Sequence, residues 1–142
     1  MTFRMQAKSI RKNGHIVING RPCKVVDISK IEKHGDENCH FVAIDLFNGN
    51  RLEATVPSFE NCDGVPNVSR DEYQLALIDD GLATLMYADG TSKELSLPPN
   101  KTLRTQIEDA FNEGKDLIVT VVSAMGEEQI ISAKEEPRGE GY

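Results

Sequence analysis

A mainly β fold in two successive small domains, the first without a helix and the second with one, is what the sequence predicts. Three observations carry it. Asn-Gly or Asp-Gly pairs stand between β-like runs at Asn19-Gly20, Asn48-Gly49 and Asp89-Gly90, and such pairs tolerate the positive φ angles of a type I′ hairpin turn. Helical periodicity occurs firmly in one place, where Leu103, Ile107, Ala110 and Phe111 fall at i, i+4, i+7 and i+8. Between residues 57 and 69, Pro57, Gly64, Pro66 and small polar residues interrupt all periodicity. The boundary is placed at Pro66-Asn67, giving domains 1–66 and 67–136 and an unstructured charged tail, 137–142.

In the first domain, Asn19-Gly20 joins His15–Ile18 to a strand from Arg21 to Ser29, whose apolar residues are Cys23, Val25 and Val26. Asn48-Gly49 joins Cys39–Phe47 to Asn50–Val56, with Phe41, Ala43 and Asp45 alternating against Val42, Ile44 and Leu46. Four or five strands without a helix suit a small SH3-like barrel. In the second domain, a strand at Tyr73–Asp79 precedes a hairpin of Leu82–Ala88 and Thr91–Leu97. The helix follows, with Pro98-Pro99 before it and Gly114 where a C-terminal cap belongs. Strands at Leu117–Met125 and Glu127–Lys134 complete the set. A helix after the third of five strands is the OB-fold arrangement.

Charge divides the chain at the same point. Residues 1–66 carry 9 Lys+Arg against 8 Asp+Glu, whereas 67–142 carry 7 against 15. The overall charge of −7 argues against general nucleic-acid binding by the whole surface. The basic residues nevertheless concentrate at the start: Arg4, Lys8, Arg11, Lys12, Arg21 and Lys24 precede the first acidic residue, Asp27. Of these, Lys8, Arg11, Lys12, Arg21 and Lys24 are candidates for phosphate contacts, and a plain solvated basic face is the alternative. The second domain is acidic and poor in aromatic residues for base stacking (Tyr73, Tyr87 and Phe111), which argues against an oligonucleotide role there.

The longest aliphatic stretch, Leu117–Val122, is far too short to span a bilayer, and residues 1–10 lack the features of a secretory signal. Three cysteines (Cys23, Cys39 and Cys62) without a Cys-x-x-Cys pair suit a reducing compartment, so the expected location is the cytoplasm. His34, Cys39 and His40 invite a nucleophile or metal site. No ligand set at metal spacing accompanies them, and Cys39 and His40, adjacent on a strand, point to opposite faces. A buried Cys39 or His40 and a solvated His34 explain them better. Binding without catalysis, and without a bound cofactor, is expected.

Function is expected at the segment from Lys30 to Asn38, which reads as a loop, too polar and too long for a tight hairpin, that projects into water. Lys33 stands close to its tip, beside Gly35, whose missing side chain permits a sharp turn.

Arg11-Lys12-Asn13-Gly14, Gly20-Arg21-Pro22-Cys23-Lys24, Lys33-His34-Gly35, His40-Phe41-Val42-Ala43-Ile44-Asp45, Val65-Pro66-Asn67, Tyr73-Gln74-Leu75 and Ser123-Ala124-Met125 follow one another through nearly the whole chain. In these motifs, in register, the chain resembles the eukaryotic translation initiation factor 5A family. The resemblance implies an SH3-like domain followed by an OB-fold domain. It also implies that deoxyhypusine synthase, using NAD and spermidine, transfers a butylamine arm to Lys33, which deoxyhypusine hydroxylase then completes as hypusine. The implied partner is the ribosome, with Lys33 and its neighbours Lys30, His34 and Gly35 facing the peptidyl-site tRNA, to promote slow peptide bonds, notably at proline runs.

The family's loop typically reads Lys-Thr-Gly-Lys-His-Gly-His-Ala-Lys. Here Ile31 and Glu32 replace Thr and Gly, while Asp36, Glu37 and Asn38 replace His, Ala and Lys. The expectation is that Glu32, Asp36 and Glu37, within reach of Lys33, weaken contact with phosphate. Intact Lys33-His34-Gly35 favours modification. The alternative is a divergent, unmodified RNA-binding or ribosome-adaptor module.

Overall fold

Residues 2–136 are described by the computed structural model; the tail expected at 137–142 lies outside them. The first unit contains β1 (Phe3–Gln6), a 3-10 turn at Ala7–Ser9, β2 (His15–Ile18), β3 (Arg21–Lys33), β4 (Asp36–Asp45), β5 (Arg51–Pro57) and β6 (Asn61–Gly64). The second contains β7 (Ser69–Asp79), β8 (Leu82–Met86), β9 (Ser92–Ser96), α1 (Lys101–Asn112), β10 (Leu117–Ala124) and β11 (Glu127–Glu135). Strands dominate and α1 is the one α-helix among the described residues, so the expected fold class holds.

The change of unit falls between Val68 and Ser69 rather than at Pro66-Asn67, apart from Ala124–Gly126, which group with the first unit. The chain beyond β6 is still tied to the first sheet, because Val65 is buried and its N–H donates to the His15 carbonyl at 3.0 Å.

In the first unit, six antiparallel strands form one sheet in the order β1-β6-β2-β3-β4-β5. Alternation along β4 does what the sequence pattern implies: Phe41 and Ala43 are fully buried and Asp45 is 2% exposed, on one face. Phe41 and Ala43 pack with Ile16, Ile18, Cys23 and Val25. β3 changes phase at a bulge between Val25 and Asp27, which explains why Val25 is buried and Val26 only partly so.

Two short strands have no counterpart in the sequence reading, β1 and β6, which pair with each other. β6 lies in the stretch where periodicity is lost. Its Gly64 lies under the Phe3 ring, where a Cβ would come within 2.5 Å of a ring carbon. That close approach, and not a turn, accounts for this glycine.

The second unit holds five antiparallel strands in the order β11-β10-β7-β8-β9, with α1 between β9 and β10. This is the element order expected of an OB fold. A Lys93–Glu128 ion pair joins β9 to β11, the two ends of the strand order. Fully buried Leu85, Val119, Ile130 and, from α1, Ile107 form the centre of the core. Asn100 caps α1 by accepting the Leu103 N–H at 3.0 Å. At the other end, Gly114 at φ +77 donates to Phe111 O and Lys115 donates to Ala110 O, a Schellman closure.

The turn chemistry partly corrects the sequence reading. Only Asn19-Gly20 of the expected pairs has positive φ at both residues; at Asn48-Gly49 and Asp89-Gly90 only the glycine does. In those longer connections a carboxylate organises the turn: Asp45 accepts from the Phe47 and Asn48 N–H groups, and Asp89 accepts from Thr91 N–H and hydroxyl. Paired positive φ occurs instead at His34-Gly35, Asp80-Gly81 and Met125-Gly126 as well. No helix among the described residues is long and apolar enough to cross a membrane.

Candidate functional site

The segment expected to be an open loop is a tight hairpin. β3 and β4 continue to pair past the sheet through Ile31↔Asn38, Glu32↔Glu37 and Lys33↔Asp36, closed by His34 at φ 53 and Gly35 at φ 81. Two consecutive positive φ values make the twist of the turn match that of the strands, so a polar ribbon needs no longer connection. β5 accompanies β4 only as far as Pro57↔Asn38. Beyond that pair the ribbon has two strands, and Ile31 to Glu37 are all exposed. Lys33 is the last strand residue before the turn.

The pairing sorts the charges around Lys33. Opposed residues share a face and neighbours along a strand do not. Lys33 and Asp36 therefore lie on one face, and Glu32 and Glu37 on the other. Glu37 is further drawn away, since its carboxylate accepts from the Ser58 hydroxyl at 2.9 Å and lies 3.8 Å from Lys30 Nζ. Of the carboxylates expected to crowd Lys33, only Asp36 is its direct cross-strand neighbour.

Beside the ribbon is a cleft of about 660 Å³, lined by Lys33 to Asn38 on one side and Pro57 to Glu60 on the other. Phe59 in this wall is 69% exposed, and Lys8 Nζ lies 4.5 Å from its ring centroid. Neither Ser58 nor Phe59 was visible as a site residue in the sequence, because they occupy the stretch without periodicity.

The remaining basic candidates divide by what they touch. Lys8, Arg11, Lys12 and Lys24 are exposed. Lys24 stands opposite His15 in the β2–β3 ladder; burial and then the charge of Lys24 lower the His15 pKa. Arg21 is engaged elsewhere. Its Nε donates to Asp45 Oδ2 at 2.8 Å, Nη2 donates to Oδ1 at 3.3 Å, and the guanidinium lies 5.6 Å from the Phe47 ring centroid. Burial pushes the Asp45 carboxyl upward, but the Arg21 hydrogen bonds, the Phe47 and Asn48 N–H groups and the Arg21 charge outweigh it, and its pKa is lowered.

Cys39 and His40 do point to opposite faces. Cys39 is in the core with its Sγ 3.5 Å from Ser58 Oγ, whereas His40 places Nδ1 2.8 Å from Thr55 Oγ1 and Nε2 2.8 Å from Glu53 Oε1. Among the described residues, no group of three or more His, Cys, Asp or Glu side chains could hold a metal ion.

Two family models match the chain: "Translation initiation factor 5A-like, N-terminal" over residues 1–60, and "Eukaryotic elongation factor 5A hypusine, DNA-binding OB fold" over residues 67–134. Eukaryotic translation initiation factor 5A-2 of Solanum lycopersicum is 56% identical over 138 residues, covering 94% of this chain and 86% of the relative. The chain belongs to the translation initiation factor 5A family. Factor 5A-1 of Schizosaccharomyces pombe is 53% identical over 139 residues, covering 96% of this chain and 88% of its own. A solved factor 5A family structure from Naegleria fowleri superposes with a TM-score of 0.83 at 37% identity, covering 94% of this chain and 98% of that one. Factor 5A from Methanococcus jannaschii, at 22% identity and a TM-score of 0.63 over 94% and 95% of the two chains, shows the shared fold alone.

Proposed function

We propose that this factor 5A family member is a translation factor that binds the ribosome next to the peptidyl-site tRNA and promotes peptide-bond formation, notably at proline runs, through Lys33 carrying hypusine. The observation that supports this reading most is the placement of Lys33 beside the closed His34-Gly35 turn, at the end of a ribbon that outruns its sheet. A side chain there can enter a narrow cleft that the body of the domain cannot. Lengthened by a butylamine arm, it gains reach and a second cationic nitrogen for charge-assisted contacts with phosphate. In net terms the arm transfer moves the four-carbon amine of spermidine from its secondary nitrogen to the Lys33 Nζ and releases a three-carbon diamine, with the NAD of the synthase taking up a hydride and returning it, so that no net oxidation results. The factor contributes position, and the ribosome performs the chemistry.

Lys30, His34 and Gly35 accompany Lys33 toward the tRNA in this reading. Lys8, Arg11, Lys12 and Lys24 supply contacts to ribosomal RNA, and Arg21, already held by Asp45, supplies at most one face of its guanidinium. The protein acts in the cytoplasm and has no bound cofactor; deoxyhypusine synthase and hydroxylase are its modifying partners. The second reading, an unmodified RNA-binding or ribosome-adaptor module, is favoured by one feature: Asp36 opposite Lys33, where the family's loop has His.

Phosphate contacts give ribosome binding a salt dependence. Arg11→Glu with Lys12→Glu is expected to weaken ribosome co-sedimentation and to flatten the log–log salt slope by about 1 for each phosphate no longer engaged. Binding indifferent to salt, or to both reversals, contradicts the RNA-facing role of this surface.

A further inference from the structure

Ser58 is the first residue beyond β5, and it is fully buried although it borders the exposed ribbon. Its N–H donates to the Glu37 carbonyl at 3.1 Å, which extends the β5 ladder one step past its last residue pair. Its hydroxyl donates to Glu37 Oε1 at 2.9 Å, and the Ser58 Oγ also lies 3.5 Å from Cys39 Sγ. Its carbonyl accepts the Lys8 N–H at 3.0 Å. One residue thus ties the ribbon both to the core and to the 3-10 turn.

Glu37 stands where the family's loop has Ala, so its side-chain bond to Ser58 is an addition to the backbone contact. It acts where support is most needed, because a hairpin without a third strand is marginal in water. The bond is on the ribbon face opposite Lys33, and therefore holds the ribbon without neutralising the lysine.

We propose that Ser58, through Glu37, is a positioning residue for Lys33, fixing the direction in which the ribbon leaves the sheet. This rests on Lys33 being the functional residue. A ribbon held in advance loses less freedom when it enters the modifying enzyme or the ribosome, so its loosening is felt in binding before chemistry.

The test is a mutant cycle of Ser58→Ala and Glu37→Ala, read by amide hydrogen exchange over residues 31–37 and by the kinetics of arm transfer from spermidine with purified deoxyhypusine synthase. Each single change is expected to raise exchange about fivefold, a hydrogen bond to a charged group discounted for the exposure of Glu37. The double variant is expected to add no more. KM for the protein substrate rises by a similar factor with kcat retained. Glu37→Gln keeps an acceptor oxygen and stays near the wild type in both readouts. Should Ser58→Ala fold poorly, Glu37→Ala, a surface change to the family's residue, set against Glu37→Gln still tests the proposal by itself. Unchanged exchange in Glu37→Ala, additive effects in the double variant, or raised exchange with an unaltered KM would each overturn the proposal. A wild-type protein that accepts no arm speaks against the reading of Lys33, while the exchange cycle still decides whether the latch exists.

Discussion

Lys33→Arg is expected to reduce peptide-bond formation at proline runs to the rate without the factor, while the melting temperature stays unchanged. Lys33 is exposed in a two-stranded ribbon, so Arg removes no packing there. It also retains the positive charge beside Asp36. What it removes is the primary amine on a flexible stem, because the guanidinium stays protonated and is no acceptor for the arm. The substitution therefore separates a role for charge alone from a role for the modified side chain. Normal translation of proline-rich messages by Lys33→Arg would favour the unmodified adaptor instead.

The largest expected effect on stability lies at Asp45. Its carboxylate, 2% exposed, accepts from Arg21 and from the N–H groups of Phe47 and Asn48, organising the β4–β5 connection. In Asp45→Ala, Arg21 and Asn48 can regain water because both are partly or fully exposed. The N–H of buried Phe47 cannot do so readily. One desolvated donor, the missing charge-assisted bonds and a loosened turn together cost about 3 kcal/mol, which lowers the melting temperature of a unit this small by about 15 °C. Thermal unfolding by circular dichroism measures it. The pH dependence follows in sign. The folded-state pKa is depressed, so Asp45 contributes fully above the ordinary carboxylate range, and its contribution is lost as pH falls below about 4 toward the folded value. Asp45→Ala should therefore have a flatter stability profile than the wild type in acid. A loss below about 1 kcal/mol would mean that the turn holds without its carboxylate.

How much of this was legible in the sequence depends on what each residue faces. The second unit was legible in full element order, because β7, β8, β9 and β11 carry polar exposed positions between their apolar ones, β10 is a short apolar run, and α1 carries its own caps in Asn100 and Gly114. The same alternation disclosed Phe41 and Ala43. By contrast, β1 and β6 are four residues each and escaped, one being set by a packing event, the Phe3 ring over Gly64, that no periodicity encodes. Turn pairs were legible as turns but not as turn types, since Asp45 and Asp89 redirect hydrogen bonding from a distance of two or three residues.

At the site, composition located the projecting segment and misjudged its form. A ribbon wet on both faces has the polarity of a loop, and His34 is not among the residues that usually announce a type I′ turn. Three added carboxylates looked equivalent along the chain. Pairing register distinguishes Asp36 from Glu32 and Glu37, and contact with Ser58 distinguishes Glu37 again. Such distinctions require partners that are distant in sequence, which is why Ser58 itself gave no signal.

Lys33 as a hypusine-bearing residue is the claim on which the functional reading stands. The most direct measurement is peptide mass spectrometry of the protein isolated from its native cell, with fragmentation across Lys30 to Asn38. The expected result is a Lys33 residue heavier by one hydroxylated butylamine arm, with Lys30 unmodified. A Lys33 peptide of unaltered mass, from cells whose synthase is active, would contradict that claim and leave the ribbon as an unmodified docking element.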